Sequence, residues 1–79
     1  MNIHKFNDYL LEKKFNMNIT NNYIEILNYL SIDHFDSNLI KIKYLNGIIK
    51  IIGNNLIIKR LLKDFIIVKG DIKKIEWLN

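Results

Sequence analysis

The chain has no cysteine and no proline, and its 79 residues include only three glycines and two histidines. The absence of cysteine excludes disulfides and any site that depends on a thiolate. The absence of proline leaves every strand uninterrupted and gives no helix a hard stop. His4 and His34 stand thirty residues apart, and two distant histidines do not make a zinc or catalytic site. These absences predict no catalytic residue, no metal and no cofactor, and we interpret the chain as a non-enzyme.

The remaining polar residues suggest no reaction either. Gly47, Gly53 and Gly70 form no phosphate-binding loop, because none stands in a glycine-rich turn that opens a helix. We interpret all three as structural turn glycines that supply a positive φ. His34 lies near Asp33 and Asp36, but an exposed histidine in a strand or turn explains this group more simply than a functional cluster does.

A chain of this length is predicted to form a single domain, 1–79, with a small core. Small domains without disulfides or metals often depend on oligomerisation or on a partner. No apolar run approaches the roughly 18 residues of a membrane span. The N-terminus, which contains Asp8 and Glu12, has the character of neither a signal peptide nor a transit peptide. We therefore predict a cytoplasmic protein without a transmembrane segment.

Positive charge is concentrated in the second half of the chain. Residues 1–37 carry a net charge of −2 and residues 38–79 a net charge of +6, which together give the overall +4. Such asymmetry is found in proteins that bind anionic partners. The simpler interpretation, which we favour, is that lysines keep the outer face and edges of a β-sheet soluble.

Hydrophobic spacing divides the chain into an N-terminal helix and a β-domain. Ile3, Phe6 and Leu10 recur at helical spacing, which predicts an amphipathic helix over 2–14 within an N-terminal region, 1–16. Its polar face is not strongly basic, so packing on the sheet is favoured over binding to a membrane surface. In the β-domain, 17–79, short aliphatic runs predict strands at 23–27, 32–35, 39–44, 48–52, 56–61, 65–69 and 72–77, with 16–22 as a loop or weak strand.

Turn signals separate these runs. Asn46-Gly47 predicts a two-residue type I′ hairpin turn, because both central positions of that turn need a positive φ. Further turns are predicted at 53–55, 63–64 and 70–71. The segment 56–63 also fits one or two helical turns, but its β-branched residues and the glycines on either side favour a strand.

The run from Asn38 to Gly70 nearly repeats itself after seventeen residues. Asn38-Leu39-Ile40 returns as Asn55-Leu56-Ile57, and Gly53 returns as Gly70. Apolar runs that end in glycine at even spacing are typical of β-structure. We predict a mainly β fold in which a short N-terminal helix precedes an antiparallel meander folded into a small sandwich or roll. A short β-solenoid of seventeen-residue coils is the alternative.

Several predicted strands are apolar on both faces. Strand 48–52 places Ile49 and Ile51 on one face and Ile48 and Ile52 on the other, with Lys50. Such strands need cover on both sides, which one short helix cannot provide. We therefore predict an exposed interaction surface for another copy or a partner. Its residues are Ile48, Lys50, Ile52, Phe65 and Ile67, with Lys41 and Lys43 at the rim.

Nucleic-acid binding is the alternative function. Lys41, Lys43, Lys50, Lys59 and Arg60 have the charge to follow a phosphate backbone, and small β-domains bind single strands in this way. Such sites also need aromatic side chains for base stacking. Each aromatic in the β-region has a plausible role in the core, and no ribonucleoprotein motif is present.

Three segments of the chain together resemble the YabP/YqfC family of small sporulation proteins. They are Asn46–Ile58 (NGIIKIIGNNLII), Phe65–Ile72 (FIIVKGDI) and Ile75–Trp77 (IEW). Each piece is ordinary β-sequence, but their order and spacing together are moderately specific, and the resemblance extends without a gap from about residue 23 to residue 77.

The resemblance implies a non-catalytic protein of the mother cell of endospore formers, because no activity is established for the family. Family members tend to be encoded beside a membrane protein of the same pathway. This implies a structural or adaptor role through self-assembly or a membrane-protein partner, with membrane association through that partner. The chain departs from the pattern in its short, Asn-rich N-terminal region.

Overall fold

A computed structural model of the protein describes residues 14–79. The helix predicted over 2–14 lies outside the described residues, of which Lys14 is the first. The described residues form one antiparallel sheet of six strands and contain no helix. The strands are β1 (Asn16–Ile19), β2 (Tyr23–Leu27), β3 (Ser31–Phe35), β4 (Leu39–Tyr44), β5 (Gly47–Leu61) and β6 (Phe65–Leu78). The prediction of a mainly β protein is confirmed.

The two longest strands organise the sheet, whose order is β1-β2-β6-β5-β4-β3. β3, β4, β5 and β6 follow one another as a meander, and the β1–β2 hairpin returns to pair with β6. β4 pairs with the first half of β5, and β2 pairs with the first half of β6. Every pairing among the described residues is antiparallel, so they do not form the stacked coils of the alternative solenoid.

The prediction that Gly53 and Gly70 close turns is wrong. β5 runs through Gly53 and β6 runs through Gly70, so four predicted strands are two continuous ones. At these positions the β5–β6 register shifts, between Ile52 and Gly53 and again between Asn54 and Ile57. Extra residues absorbed as β-bulges bend a strand without ending it. Glycine and asparagine in a strand therefore indicated bends here, not chain reversals.

Close backbone approach explains both glycines. A Cβ on Gly53 would overlap the carbonyl oxygen of Asp71. Gly70 has a φ of 141°, and a Cβ there would lie 2.8 Å from the carbonyl oxygen of Asn55. Asn55 itself has a φ of 53°, a left-handed conformation that asparagine tolerates better than most residues. Three residues suited to an unusual backbone thus meet where the long hairpin bends.

The β4–β5 turn also differs from its prediction. Tyr44 pairs with Gly47, so the central residues of the loop are Leu45 and Asn46. Neither has a positive φ, which excludes the type I′ turn predicted for Asn46-Gly47. Gly47 instead opens β5 with a φ of 155°, where a Cβ would overlap the carbonyl oxygen of Leu78.

The link between β2 and β3 shows that the sheet folds back on itself. β5 has 15 residues, and a flat strand of that length spans about 45 Å. The Asn28 N–H donates to the Asp64 carbonyl at 2.6 Å, beyond the far end of β5, and the Leu30 N–H donates to the Lys43 carbonyl at 2.8 Å, near its start. Residues two apart in sequence lie within about 7 Å. The ends of β5 are therefore brought together by the bend.

The bend creates the core. The inner face, defined here as the side that the bend encloses, carries the fully buried aliphatic side chains from both halves of the sheet. These are Ile24, Ile26, Ile40, Ile42, Ile49, Ile51, Leu56, Ile66 and Val68. Phe15, before β1, reaches across to the opposite ends of β4 and β6, with its ring centroid 4.5 Å from that of Tyr44 and 6.2 Å from that of Trp77. One folded sheet thus supplies both layers around the core.

Candidate interaction surface

The outer face of the sheet, opposite the inner face, holds all seven residues of the predicted interaction surface. In β5, Ile49 and Ile51 are buried while Ile48, Lys50 and Ile52 are only partly buried. In β6, Ile66 and Val68 are buried while Phe65 and Ile67 are partly exposed. The alternation in β4 buries Ile40, Ile42 and Tyr44 and leaves Lys41 and Lys43 outside. The face of each residue agrees with the sequence pattern.

The structure does not bring the seven residues together, however. Ile48, Lys50 and Ile52 pair with Lys43, Lys41 and Leu39 of β4. Phe65 and Ile67 belong to the other half of the sheet, where they pair with Leu27 and Glu25 of β2. Because the inner faces of the halves meet across the core, their outer faces point away from each other. The predicted surface is therefore two surfaces.

We call the first the β4–β5 patch: Leu39, Lys41, Lys43, Ile48, Lys50 and Ile52. Three aliphatic side chains and three lysines alternate across two strands. Lys41 and Lys50 stand directly opposite each other in the ladder. Like charges in that position repel each other. On the neighbouring strands, Glu76 stands opposite Lys50, and Asp33 lies in the β3 bulge next to His34, which stands opposite Lys41.

We call the second the β2–β6 patch: Tyr23, Glu25, Phe65, Ile67 and Lys69. It has one carboxylate and one ammonium group, so its charge is balanced. Beside it, Asn22, Tyr23, Glu25, Lys59, Ile67 and Lys69 line an open depression of about 390 Å³. The two patches thus differ in charge although both lie on the same face of one sheet.

The sequence prediction lacked one member of the β4–β5 patch, Leu39, and two of its neighbours, Lys74 and Glu76. Leu39 shares the parity of Lys41 and Lys43, so strand alternation was sufficient to find it. Lys74 and Glu76 reach the same face by pairing with Ile52 and Lys50. Their placement depends on the register shift between Ile52 and Gly53, where the partners change from Lys74 to Ile72. No pattern in the sequence predicted this shift.

The loop between β3 and β4 fastens the bend. The Asp36 carboxylate accepts hydrogen bonds from the N–H groups of Asn38 and Leu39, both at 2.7 Å, and lies 2.8 Å from His34 Nε2. The His34 contact and then these two N–H groups hold the pKa of Asp36 below its ordinary value of 3.8. The side chains of His34, Asp36 and Asn38 are exposed, and these hydrogen bonds account for their arrangement. The arrangement has the features of a loop anchor and not of a catalytic site.

Tyr29 fastens the other side of the core. Its hydroxyl donates to the carbonyl oxygen of Leu62 at 2.7 Å. Burial, with a smaller effect from Asp64, raises the pKa of Tyr29 above its ordinary value of 10.0. A phenol that is harder to ionise and already donates to the backbone is suited to holding a loop in place.

Other kinds of site are not seen in the part of the chain that the structure describes. Residues 14–79 contain no cluster of three or more His, Asp or Glu side chains that would suit a metal ion. No helix within these residues has the length and hydrophobicity to traverse a bilayer.

The model of the YabP family matches residues 12–79, which include every strand of the sheet. This chain belongs to the YabP family. The resemblance inferred from the three sequence segments is therefore confirmed, and it extends further toward the N-terminus than those segments did. Comparison with curated proteins and with solved structures gave no match. Membership of the YabP family associates the chain with sporulation, and this family is not known as one of enzymes.

Proposed function

We propose that this YabP-family protein is a non-catalytic adaptor of sporulation that binds an acidic segment of a membrane-protein partner through the β4–β5 patch. The observation that carries the proposal is that three partly exposed aliphatic side chains alternate with three lysines on the outer face of β4 and β5. Apolar surface of this kind, framed by charge, is typical of protein interaction sites. The protein itself would lie in the cytoplasm and reach the membrane through this partner.

The opposed pair of Lys41 and Lys50 indicates the sign of the partner's charge. These side chains carry like charges at directly opposed positions, which is unfavourable in the free protein, and the carboxylate of the neighbouring Glu76 lies 3.7 Å from Lys74. A carboxylate placed between them would remove the repulsion and gain two attractive contacts. Charge complementarity of this kind contributes mainly to specificity and to the rate of association. A partner segment with alternating aliphatic and acidic side chains fits the patch best.

The two patches provide a matched experiment. Ile52→Glu and Ile67→Glu introduce the same charge at half-buried outer-face positions, one in each half of the sheet. Where a membrane protein is encoded beside this gene, as the family resemblance implies, vesicles that carry it are floated on a density gradient with each purified variant. We expect the wild type and Ile67→Glu to float with the vesicles and Ile52→Glu to remain below. Circular dichroism spectra must be the same for all three proteins.

Two results would contradict the proposal. One is flotation of Ile52→Glu to the same extent as the wild type. The other is equal loss of flotation by both variants, because it would show that the β4–β5 patch has no special role.

Nucleic-acid binding remains the second candidate because of the depression beside the β2–β6 patch. Tyr23 offers a partly exposed ring there, and Lys59 and Lys69 offer two positive charges. Glu25 lines the same depression and opposes a phosphate. Binding to a labelled single-stranded oligonucleotide, measured over a range of salt concentrations, tests this candidate, since affinity that depends on phosphate contacts falls steeply with salt. No binding at low salt excludes it.

A further inference from the structure

We propose that the protein forms a symmetric dimer in which the free edge of β6, residues 72–78, pairs antiparallel with the same edge of a second copy. The inference is independent of the adaptor function, because it rests on the edge of the sheet and not on its outer face. It requires an unpaired edge of sufficient length, a register in which charges match, and apolar side chains that the contact would cover. Each of these features is present on β6.

The second half of β6 has a strand on one side only. The residues of β2, Tyr23 to Leu27, pair with residues 65–69 of β6, and β2 extends no further along β6. Residues 72–78 pair with β5 on one side, and no described residue pairs with them on the other. Unpaired N–H and C=O groups in a regular strand are a template for another strand. The edge is therefore open for β-augmentation.

The other free edges of the sheet are less suitable. β1 has four residues, and β3 has a register shift at Asp33, next to His34. The free side of β5, near residues 57–61, contains a shift at Lys59 followed by Arg60. Short strands, bulges and edge charges all oppose pairing. The edge of β6 has one shift, at Lys73, and from Lys74 to Leu78 it follows five consecutive partners in β5 without a further shift.

The charge pattern of this edge complements itself in one register. In an antiparallel pair, two residues that face each other across the strands point to the same face of the sheet. A twofold axis that relates the two copies must therefore run through a position at which a residue faces its own copy. An axis at Ile75 places Lys74 opposite Glu76 of the second copy, and Glu76 opposite Lys74 of the second copy. Axes at Lys74 or Glu76 place like charges opposite each other, which is unfavourable. Lys74 and Glu76 already share one face, with Nζ and Oε2 3.7 Å apart within the chain.

The contact would also cover apolar side chains at the end of the strand. Trp77 is 51% exposed and Leu78 is 42% exposed in the single chain. Ile75, at the axis, is half-buried and would face its own copy. Cross-strand pairs of aliphatic residues and of opposite charges are among the pairs that stabilise sheets. The structure therefore assigns the second copy to this edge as its occupant.

Charge reversal with mixing tests the dimer. In a dimer of Lys74→Glu, two glutamates face each other in each of the two cross-strand pairs. In a dimer of Glu76→Lys, two lysines do. Each variant alone should raise the dimer dissociation constant by at least about tenfold, measured by sedimentation equilibrium at low salt. An equimolar mixture of the two should dimerise again, because every opposed pair then has opposite charges. Only pairing between copies produces this rescue, since each chain in the mixture keeps its own internal contacts.

Three results would overturn the dimer: a wild type that is monomeric at about millimolar concentration, single variants that dimerise as the wild type does, or a mixture that stays monomeric. Circular dichroism shows whether each variant is folded. Ile52→Glu should leave the dimer intact, and Glu76→Lys, which adds no negative charge beside the β4–β5 patch, should still float with partner vesicles. The failure of one proposal is thereby distinguished from the failure of the other.

Discussion

Asn38 and Gly53 are joined by hydrogen bonds in both directions. The Gly53 N–H donates to the Asn38 carbonyl oxygen at 3.0 Å, and Asn38 Nδ2 donates to the Gly53 carbonyl oxygen at 3.2 Å. The same amide nitrogen lies 3.3 Å from Asn54 Oδ1, and the neighbouring Ser37 carbonyl accepts from the Leu56 N–H at 2.8 Å. The β3–β4 loop thus satisfies backbone groups that the bulged β5 leaves without ladder partners.

Asn38→Ala removes the side-chain half of this contact. We expect a loss of about 1–2 kcal/mol in the free energy of unfolding, because a partly buried carbonyl at the bend loses its donor. Urea denaturation measures the change. Asn46→Ala is the control, since Asn46 is exposed in the β4–β5 turn, and its effect should stay within about 0.5 kcal/mol. Equal effects of the two changes would show that the Asn38 contact is not important.

Gly53→Ala tests the close approach of β5 and β6. The new Cβ would overlap the Asp71 carbonyl oxygen, so the two strands must separate at the bend. We expect a loss of about 3 kcal/mol, measured by thermal or urea unfolding. Asn55→Gly, two residues away, is the comparison: its φ of 53° suits glycine, so the stability should hardly change. A Gly53→Ala protein of wild-type stability would contradict the described bend.

Phe15→Ala tests the contact that closes the folded sheet. Phe15 is only partly buried, so we expect a loss of about 2 kcal/mol, less than for a fully buried phenylalanine. Trp77, the one tryptophan of the chain, lies against Phe15 and should show a red-shifted fluorescence emission in the variant. Phe35→Ala on the edge strand β3 is the control, because Phe35 is 48% exposed. An unchanged tryptophan spectrum in Phe15→Ala would argue against the contact.

Lys41→Glu should improve stability while it impairs binding. The change replaces the opposed Lys41 and Lys50 with an attractive pair, which should add about 0.5 kcal/mol or more to the free energy of unfolding. The same change reverses the charge at the centre of the β4–β5 patch and should prevent flotation with partner vesicles. Lys63→Glu, in the exposed β5–β6 turn, is the charge-matched control. Flotation of Lys41→Glu at the wild-type level would contradict the electrostatic part of the proposed function.

Acidification should weaken the β3–β4 loop through Asp36. Its folded-state pKa is lowered by His34 and by two backbone N–H groups, so below pH 3.8 the unfolded chain takes up the proton more readily than the folded one. The stabilisation from Asp36 is thus present above that pH and is lost as the pH falls through the folded-state pKa. The stability gap between the wild type and Asp36→Asn should therefore narrow in acid. A gap that stays constant from neutral pH to about pH 2 would contradict this role.

Sequence alternation was sufficient to place most side chains on the correct face, because each short run keeps its period of two. The bounds of β2 and β4 were predicted without error for the same reason. A folded meander was expected, but the position of the bend within continuous strands was not predictable, since glycine and asparagine at 53–55 and 70–71 are equally suited to a turn and to a bulge. The difference depends on long-range partners, such as Asn38 for Gly53. The seventeen-residue repeat corresponds to two successive hairpins, 38–53 and 55–70. The second hairpin contains a register shift between Ile58 and Arg60 that the first hairpin lacks.

The division of the predicted surface follows directly from that bend. In a flat sheet, Phe65 and Ile67 would lie on one continuous face with Ile48 and Ile52. No local pattern in β5 or β6 shows that the strands turn back between them. The proposed function therefore depends on a feature of tertiary structure that the sequence pattern alone does not define.

The distance between the two ends of β5 tests the folded sheet most directly. The chain has no cysteine, so Asn46→Cys and Lys63→Cys can be spin-labelled at the two turns that flank β5. Pulsed electron–electron double resonance should give a distance of about 25 Å between the labels, because the backbone hydrogen bonds of Asn28 and Leu30 hold the two ends of β5 close together. A distance near 45 Å, as in a flat strand, would contradict the bend and with it the separation of the two patches.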